Sequence, residues 1–196
     1  MSISRRDILR SLTLTAVTGS VLRVIPLAAA EYAHRMVRAE KTAAENQAYA
    51  PKFFSAHAYQ TLQALCQSII PSDEDAKGAL EAGAPEFIDL ITSENKDYQV
   101  ALGGGIMWLD NTCVDHYGKA YLDCTPAQQK EILDRIAYRK NAKQDPSLGQ
   151  GIEFFGFLRK MTADGYFTSE IGIEYLGYIG NTFMKEFPGC PPLPGA

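Results

Sequence analysis

The stretch Glu153-Phe154-Phe155-Gly156-Phe157-Leu158-Arg159-Lys160-Met161 holds three phenylalanines, a leucine and a methionine within nine residues. These apolar residues recur at the three- and four-residue spacing of a helix, and they cover most of its circumference. A helix of this kind is either fully buried or shared with a partner chain. The stretch therefore predicts a helix in the core or at an interface.

Helical signals of the same kind occur before this stretch. Ser55 is placed as a cap for a helix that Pro71 ends, and Pro85 is placed to open a short helix. Apolar side chains follow at helical spacing in both: Tyr59, Leu62, Cys66 and Ile69 in the first, and Phe87, Ile88 and Ile91 in the second. Thr125-Pro126 predicts the start of another helix, with Gln129 completing a capping box.

A longer helix is predicted from about Asp97 to Tyr117, and Gly103-Gly104-Gly105 interrupts it. Three glycines cost a helix roughly 2 to 3 kcal/mol relative to alanine. They therefore indicate either a kink or the close approach of another backbone. Few segments have strand character, so we predict an all-α fold, a small orthogonal helical domain over residues 51–196.

The C-terminal part of the chain differs from the rest. From about residue 165, aromatic residues alternate with glycines, and prolines are frequent near the end. This composition predicts an extended arm with aromatic anchors.

The N-terminal thirty residues have the charged, apolar and small-residue regions of an export signal, in that order. Arg5 and Arg6 precede an apolar, uncharged run, and Ala28-Ala29-Ala30 supplies a small-residue cleavage site. Adjacent arginines in this position resemble the twin-arginine signals that export folded proteins. We expect a signal over residues 1–30 and a polar linker or loosely docked helix over 31–50. Retention of the signal as an uncleaved anchor stays open.

Charge and cysteine spacing restrict the partners and the metals. The chain has 19 Lys and Arg against 23 Asp and Glu, which disfavours nucleic acid as a partner. None of the four cysteines forms a Cys-x-x-Cys pair, so a metal site is not expected. For an exported chain we predict a disulfide between Cys113 and Cys124, which would lie at the facing ends of consecutive helices. The other pairings of the four cysteines stay open.

The sequence shows no motif of an enzyme active site. It contains no Gly-x-Ser-x-Gly, His-Glu-x-x-His or Cys-x-x-Cys-His pattern, and no P-loop. We therefore predict no catalytic, cofactor-binding or metal-binding residue in this chain. An alternative interpretation is a free-standing exported helical protein that binds a ligand near Trp108 and Tyr117.

The order of several short motifs resembles one known family. The motifs are Leu65-Cys66-Gln67-Ser68-Ile69-Ile70-Pro71-Ser72-Asp73-Glu74 followed by Gly78-Ala79 and Gly83, Tyr117-Gly118, the Thr125-Pro126 helix with Gln128-Gln129, Gly165-Tyr166-Phe167-Thr168-Ser169 and Gly177-Tyr178-Ile179-Gly180-Asn181. Together with the N-terminal signal they resemble the gluconate 2-dehydrogenase subunit 3 family over nearly the whole mature chain.

The resemblance implies an accessory role. The chain would be the small, non-catalytic subunit of a periplasmic sugar or sugar-acid dehydrogenase. Its large partner subunit would be a flavoprotein of the glucose–methanol–choline type that holds FAD, with haem c of a membrane cytochrome or an iron–sulfur cluster elsewhere in the complex. The twin-arginine translocase would be a further partner. We expect the partner interface to consist of aromatic residues: Phe154, Phe155, Phe157, Tyr166, Phe167, Tyr175, Tyr178 and Phe183.

Overall fold

The computed structural model describes residues 25–43, 49–74 and 76–178, and every regular element in these ranges is helical. The predicted all-α fold is confirmed. No helix in the same ranges has both the length and the apolar character needed to cross a bilayer. The helices are α1 (Leu27–Ala43), α2 (Ala56–Ile69), α3 (Ala84–Ser93), α4 (Gly104–Tyr117), α5 (Pro126–Ile136), α6 (Gly149–Phe167) and α7 (Glu170–Tyr175).

Shorter helical turns join these helices. One turn, Lys96–Tyr98, continues through a π-helical turn, Gln99–Gly103, into α4. Three 3₁₀ turns flank α5 and α6: Tyr121–Asp123, Arg139–Lys143 and Pro146–Leu148.

Helix α3 lies at the centre of the fold. Every residue from Ala84 to Thr92 is buried, and α3 packs against α1, α2 and α6. Gly83 caps the helix with φ 74°, a left-handed conformation that glycine adopts without a Cβ penalty, and Pro85 follows in the first turn. The short helix predicted at Pro85 is therefore present, and it is the element around which the others assemble.

Helix α6 contains the stretch with which the sequence analysis began. Phe154, Phe155, Leu158 and Met161 are all buried, and α6 packs against both α3 and α4. The sequence predicted that this helix lies either in the core or at an interface, and the structure places these four side chains in the core.

Helices α4 and α6 approach closely through a reciprocal pair of glycines. A Cβ on Gly105 of α4 would lie 2.0 Å from Cδ2 of Phe154, and a Cβ on Gly151 of α6 would lie 2.2 Å from Cζ3 of Trp108. Each ring thus occupies the space that the opposing glycine leaves empty. Gly103-Gly104-Gly105 predicted a kink or the close approach of another backbone, and at Gly105 the group that approaches is the Phe154 side chain.

A buried carboxylate fixes the segment before α2. Asp89 of α3 is fully buried, and it accepts hydrogen bonds from Tyr49 Oη at 2.9 Å and Lys52 N at 2.6 Å through Oδ2. Its Oδ1 accepts from the backbone N–H groups of Phe53 and Phe54, both at 3.1 Å. One side chain of the central helix therefore satisfies four donors of the incoming loop.

Of the polar linker or loosely docked helix predicted over residues 31–50, the structure shows a helix, α1, which is docked more closely than predicted. Its Ala29, Ala30, Ala33 and Val37 are buried in the core. Their small size lets α1 lie close to α3, against which it packs. Only the polar face of α1 matches the expectation of an exposed segment, and residues 44–48 lie outside the described part of the chain.

The extended C-terminal arm predicted from about residue 165 is not present at its predicted start. The chain is helical to Phe167 and again from Glu170 to Tyr175, so no extended arm begins at residue 165. Residues 179–196, which include Phe183 and Cys190, lie outside the described residues. The same holds for the predicted signal residues Arg5 and Arg6.

The helix caps agree with the sequence, with one correction. Ser55 caps α2 by accepting from Ala58 N, and Thr125 caps α5. The capping box is completed by Gln128, because Gln128 rather than Gln129 is the third helical residue. Gln129 instead donates to the carbonyl of Tyr121 at 2.9 Å.

Candidate partner interface

Five large apolar side chains are exposed together at the end of the described chain. They come from the last residue of α6 and from α7 with the turn after it: Phe167, Ile173, Tyr175, Leu176 and Tyr178. The exposed fraction is 62% for Tyr175 and 54% for Tyr178. We call these five residues the α7 patch. Single exposed apolar residues are ordinary, but several clustered within twelve residues are typical of an interaction surface.

Helix α7 is held firmly against the end of α6. Ser169 caps it by accepting from Gly172 N at 3.0 Å, and the Ser169 hydroxyl donates to the carbonyl of Tyr166 at 2.7 Å. A Cβ on Gly172 would lie 2.1 Å from that same carbonyl oxygen, so only glycine permits this approach.

The ring of Tyr166 supports the patch from below. It makes edge contacts with Phe167 and Tyr175, at centroid distances of 5.0 and 6.4 Å. Its hydroxyl donates to the carbonyl of Lys77 at 2.9 Å, which ties the end of α6 to the loop before α3. The rings of Phe167 and Tyr175 are therefore displayed in a defined orientation, and little conformational entropy is lost when a partner covers them.

The aromatic residues predicted at the interface differ in their exposure to solvent. Phe154, Phe155 and Tyr166 are buried within the chain, and they cannot contact a partner in this conformation. Phe157 is half-buried and packs edge-on against Tyr98. The remaining described residues of that prediction are exposed: Phe167, Tyr175 and Tyr178.

A second exposed apolar surface was not predicted from the sequence. Val100, Met107 and Val114 are 76%, 66% and 49% exposed, and they recur at seven-residue intervals along the π turn and α4. Gly104, between the first two, has open space where a Cβ would be. The seven-residue spacing is the signal that would have indicated this stripe.

The histidines take part in contacts between elements. His57 of α2 lies 2.8 Å from Asp110 of α4, and the other oxygen of Asp110 accepts from Tyr121 N at 3.1 Å. His116 lies 3.1 Å from a guanidinium nitrogen of Arg135. Over the described ranges, no group of three or more His, Cys, Asp and Glu side chains is arranged to hold a metal ion.

Trp108, near which the alternative ligand site was predicted, packs against a neighbouring helix. The indole ring packs on the α6 backbone at Gly151, as described above. Three surface depressions of the described chain are lined by residues other than Trp108 and Tyr117. The ligand site near Trp108 and Tyr117 stays a prediction.

The predicted pair of cysteines is brought together. Cys113 of α4 and Cys124 are both buried free thiols, and they interact directly. Burial, with the neighbouring Cys124 thiol, raises the pKa of Cys113 to about 12. Cys66 is also a buried free thiol, 3.6 Å from Thr162 Oγ1. The disulfide between Cys113 and Cys124 stays a prediction.

Comparison with known families identifies the domain. A family model described as gluconate 2-dehydrogenase subunit 3 matches residues 56–189. The chain belongs to the gluconate 2-dehydrogenase subunit 3 family. The matched segment contains α2 to α7, and therefore both the core helix α3 and the α7 patch. No curated protein and no solved structure matches this chain.

Membership of the gluconate 2-dehydrogenase subunit 3 family agrees with the resemblance seen in the sequence motifs. It is consistent with an accessory subunit of a dehydrogenase complex, which works in association with other subunits. An exposed apolar patch is the surface expected of such a subunit.

Proposed function

We propose that this chain is the non-catalytic small subunit of a periplasmic dehydrogenase that oxidises a sugar or sugar acid. Its partner is an FAD-containing flavoprotein of the glucose–methanol–choline type, which holds the catalytic residues. The small subunit stabilises the flavoprotein and carries it, already folded, through twin-arginine export. Electrons pass onward through a membrane cytochrome c of the same complex.

The observation that carries this proposal is the α7 patch on a member of this family. Large aromatic side chains that are exposed in the free chain and rigidly supported are the side chains most often found as interface hot spots. Tyr175 and Tyr178 each combine an apolar ring with a polar tip, which suits a surface that is wet before assembly and buried after it.

The N-terminal sequence supports the export part of the proposal. The flavin must be inserted before export, because it is bound as its apoprotein folds. The complex therefore has to fold and assemble in the cytoplasm. Arg5 and Arg6 match a pathway that accepts folded cargo. One signal on the small subunit then serves both chains.

The test is a native pull-down of the tagged chain from its own host, followed by a flavin absorbance spectrum and mass spectrometry. We expect a yellow complex that contains a flavoprotein. Tyr175→Ala should weaken it by about 2 kcal/mol, or roughly thirtyfold. Tyr175→Phe keeps the ring and serves as the matched control. A colourless chain recovered alone would contradict the proposal.

Export is tested separately with Arg5→Lys and Arg6→Lys combined. This variant keeps the charge but removes the guanidinium pair. We expect the complex to form and to stay in the cytoplasm, with the flavin bound. Undiminished arrival of both subunits in the periplasm would refute the export role and leave the subunit role intact.

A further inference from the structure

A groove of about 650 Å³ lies between α6 and the 3₁₀ turn Arg139–Lys143. Its floor is apolar and includes Ala142, Ile152 and Phe157. Its rim carries Arg139, Arg159 and Lys160. The groove is separate from the α7 patch, since no residue of the patch lines it.

The floor of the groove is open to close approach. A Cβ on Gly149 or Gly156 of α6 would meet nothing within 4 Å, so the helix backbone is accessible at both positions. The Phe157 ring is fixed in place by its edge contact with Tyr98, at a centroid distance of 5.1 Å. An apolar side chain that entered the groove would therefore rest on a rigid aromatic surface.

Two of the three basic side chains on the rim have no ion-pair partner within the described part of the chain. Lys160 pairs with Asp164 at 2.5 Å, but neither Arg139 nor Arg159 has an acidic partner among residues 25–43, 49–74 and 76–178. Glu153 is the acidic residue that lines the groove.

The groove lies in a basic part of an acidic protein. Residues 130–160 contain seven Lys and Arg against four Asp and Glu, whereas the whole chain has 19 against 23. Such a local reversal of sign steers association with a partner surface of opposite charge.

We propose that this groove binds an acidic segment of the flavoprotein subunit, a proposal that rests on the proposed function. A carboxylate of that segment pairs with the guanidinium groups of Arg139 and Arg159, whose planar forks match carboxylate geometry. An apolar side chain next to it covers Phe157. The concave shape favours a polypeptide segment over an anionic membrane, which would meet a groove only at its rim.

The test uses the intact complex and charge reversal at the rim. Binding of the R139E/R159E double variant to the flavoprotein should weaken by about tenfold or more, and its association should lose part of its salt dependence. The matched control is R35E. Arg35 lies on α1, is exposed and has no ion pair within the described chain. R35E should bind within about twofold of the wild type.

A second measurement identifies the chemistry of the partner segment. The R139K and R159K variants keep the charge and add a primary amine to the rim. Treatment of each complex with a carbodiimide, which joins amines to carboxylates without a spacer, should give new cross-links from these positions to Asp or Glu of the flavoprotein. The wild-type complex should lack them.

The outcomes separate the two proposals. If the wild-type chain captures no flavoprotein, both the proposed function and the groove inference are wrong. If the wild type captures the flavoprotein and R139E/R159E binds as tightly as R35E, the groove inference alone is wrong. A third outcome concerns membranes. If the wild-type chain binds phosphatidylglycerol vesicles, and R139E/R159E abolishes that binding but leaves the complex with the flavoprotein intact, the rim binds a membrane and the groove inference is wrong.

Discussion

Replacement of Asp89 by asparagine tests the contact that joins the central helix to the segment before α2. The carboxylate accepts four hydrogen bonds, two at each oxygen. Asparagine keeps one oxygen and turns the other position into a donor. Whichever way the amide points, at least one backbone N–H of the incoming loop faces an NH₂ group instead of an acceptor.

The expected cost follows from these contacts. A buried donor left without an acceptor costs about 1 to 3 kcal/mol, and bonds to a charged acceptor are stronger than those to a neutral amide. Tyr49 lessens the loss if its hydroxyl rotates to accept from the new NH₂ group. We therefore expect Asp89→Asn to lower the free energy of unfolding by about 2 kcal/mol, and Asp89→Ala by about 4 kcal/mol, since alanine accepts none of the four bonds.

Urea denaturation followed by the fluorescence of Trp108, the single tryptophan of the chain, measures this loss. In a thermal scan, Asp89→Asn should lower Tm by about 4 to 8 °C. Asp115→Asn, at an exposed position on α4, is the matched control and should change stability by less than about 0.5 kcal/mol. An Asp89→Asn variant as stable as that control would refute the role assigned to the buried carboxylate.

Three further predictions concern other helices. Gly151→Ala should lower stability by about 2 kcal/mol because its Cβ would overlap the indole ring. Gly156→Ala, on the same helix in open space, should raise stability by about 0.5 to 1 kcal/mol, and urea midpoints compare the two. Non-reducing peptide mapping of the exported protein should recover Cys113 joined to Cys124, whereas two alkylated free thiols would contradict the disulfide. Burial lowers the pKa of His34 below 6.5, so the unfolded chain binds a proton at higher pH than the folded one. Stability should therefore fall as the pH drops below 6.5, and His34→Gln should flatten that dependence in pH-dependent denaturation.

Local signals explain how much of the fold the sequence predicts. Ser55, Pro85 and Thr125 act within one helical turn of the residues that they position, so each can be read directly from its neighbours. The partners of Asp89 lie 35 to 40 residues away in the chain. No periodicity or cap motif encodes such a contact, and the sequence therefore gave no indication of it.

The candidate interface was predicted only in part for a related reason. Aromatic content indicates that a segment buries apolar surface, but it does not say against what. Phe154 fills the space that Gly105 leaves on the neighbouring helix and Phe155 is also buried in the core, whereas the side chains of Tyr175 and Tyr178 are more than half exposed. The basic groove is not evident from the sequence, because Arg139 and Arg159 are twenty residues apart and lie on two different elements.

Helix α1 connects the two parts of the proposed function. It runs without a break across the boundary expected after Ala30, where the sequence predicts signal cleavage, and Ala30 itself is buried. Further along α1, His34 Nε2 lies 2.9 Å from Thr168 Oγ1, and Arg38 pairs with Glu170 at the start of α7. The helix that follows the twin-arginine sequence is therefore bonded directly to the elements that display the α7 patch. If export operates as proposed, α1 joins the N-terminal part of the chain to the surface that we propose holds the flavoprotein.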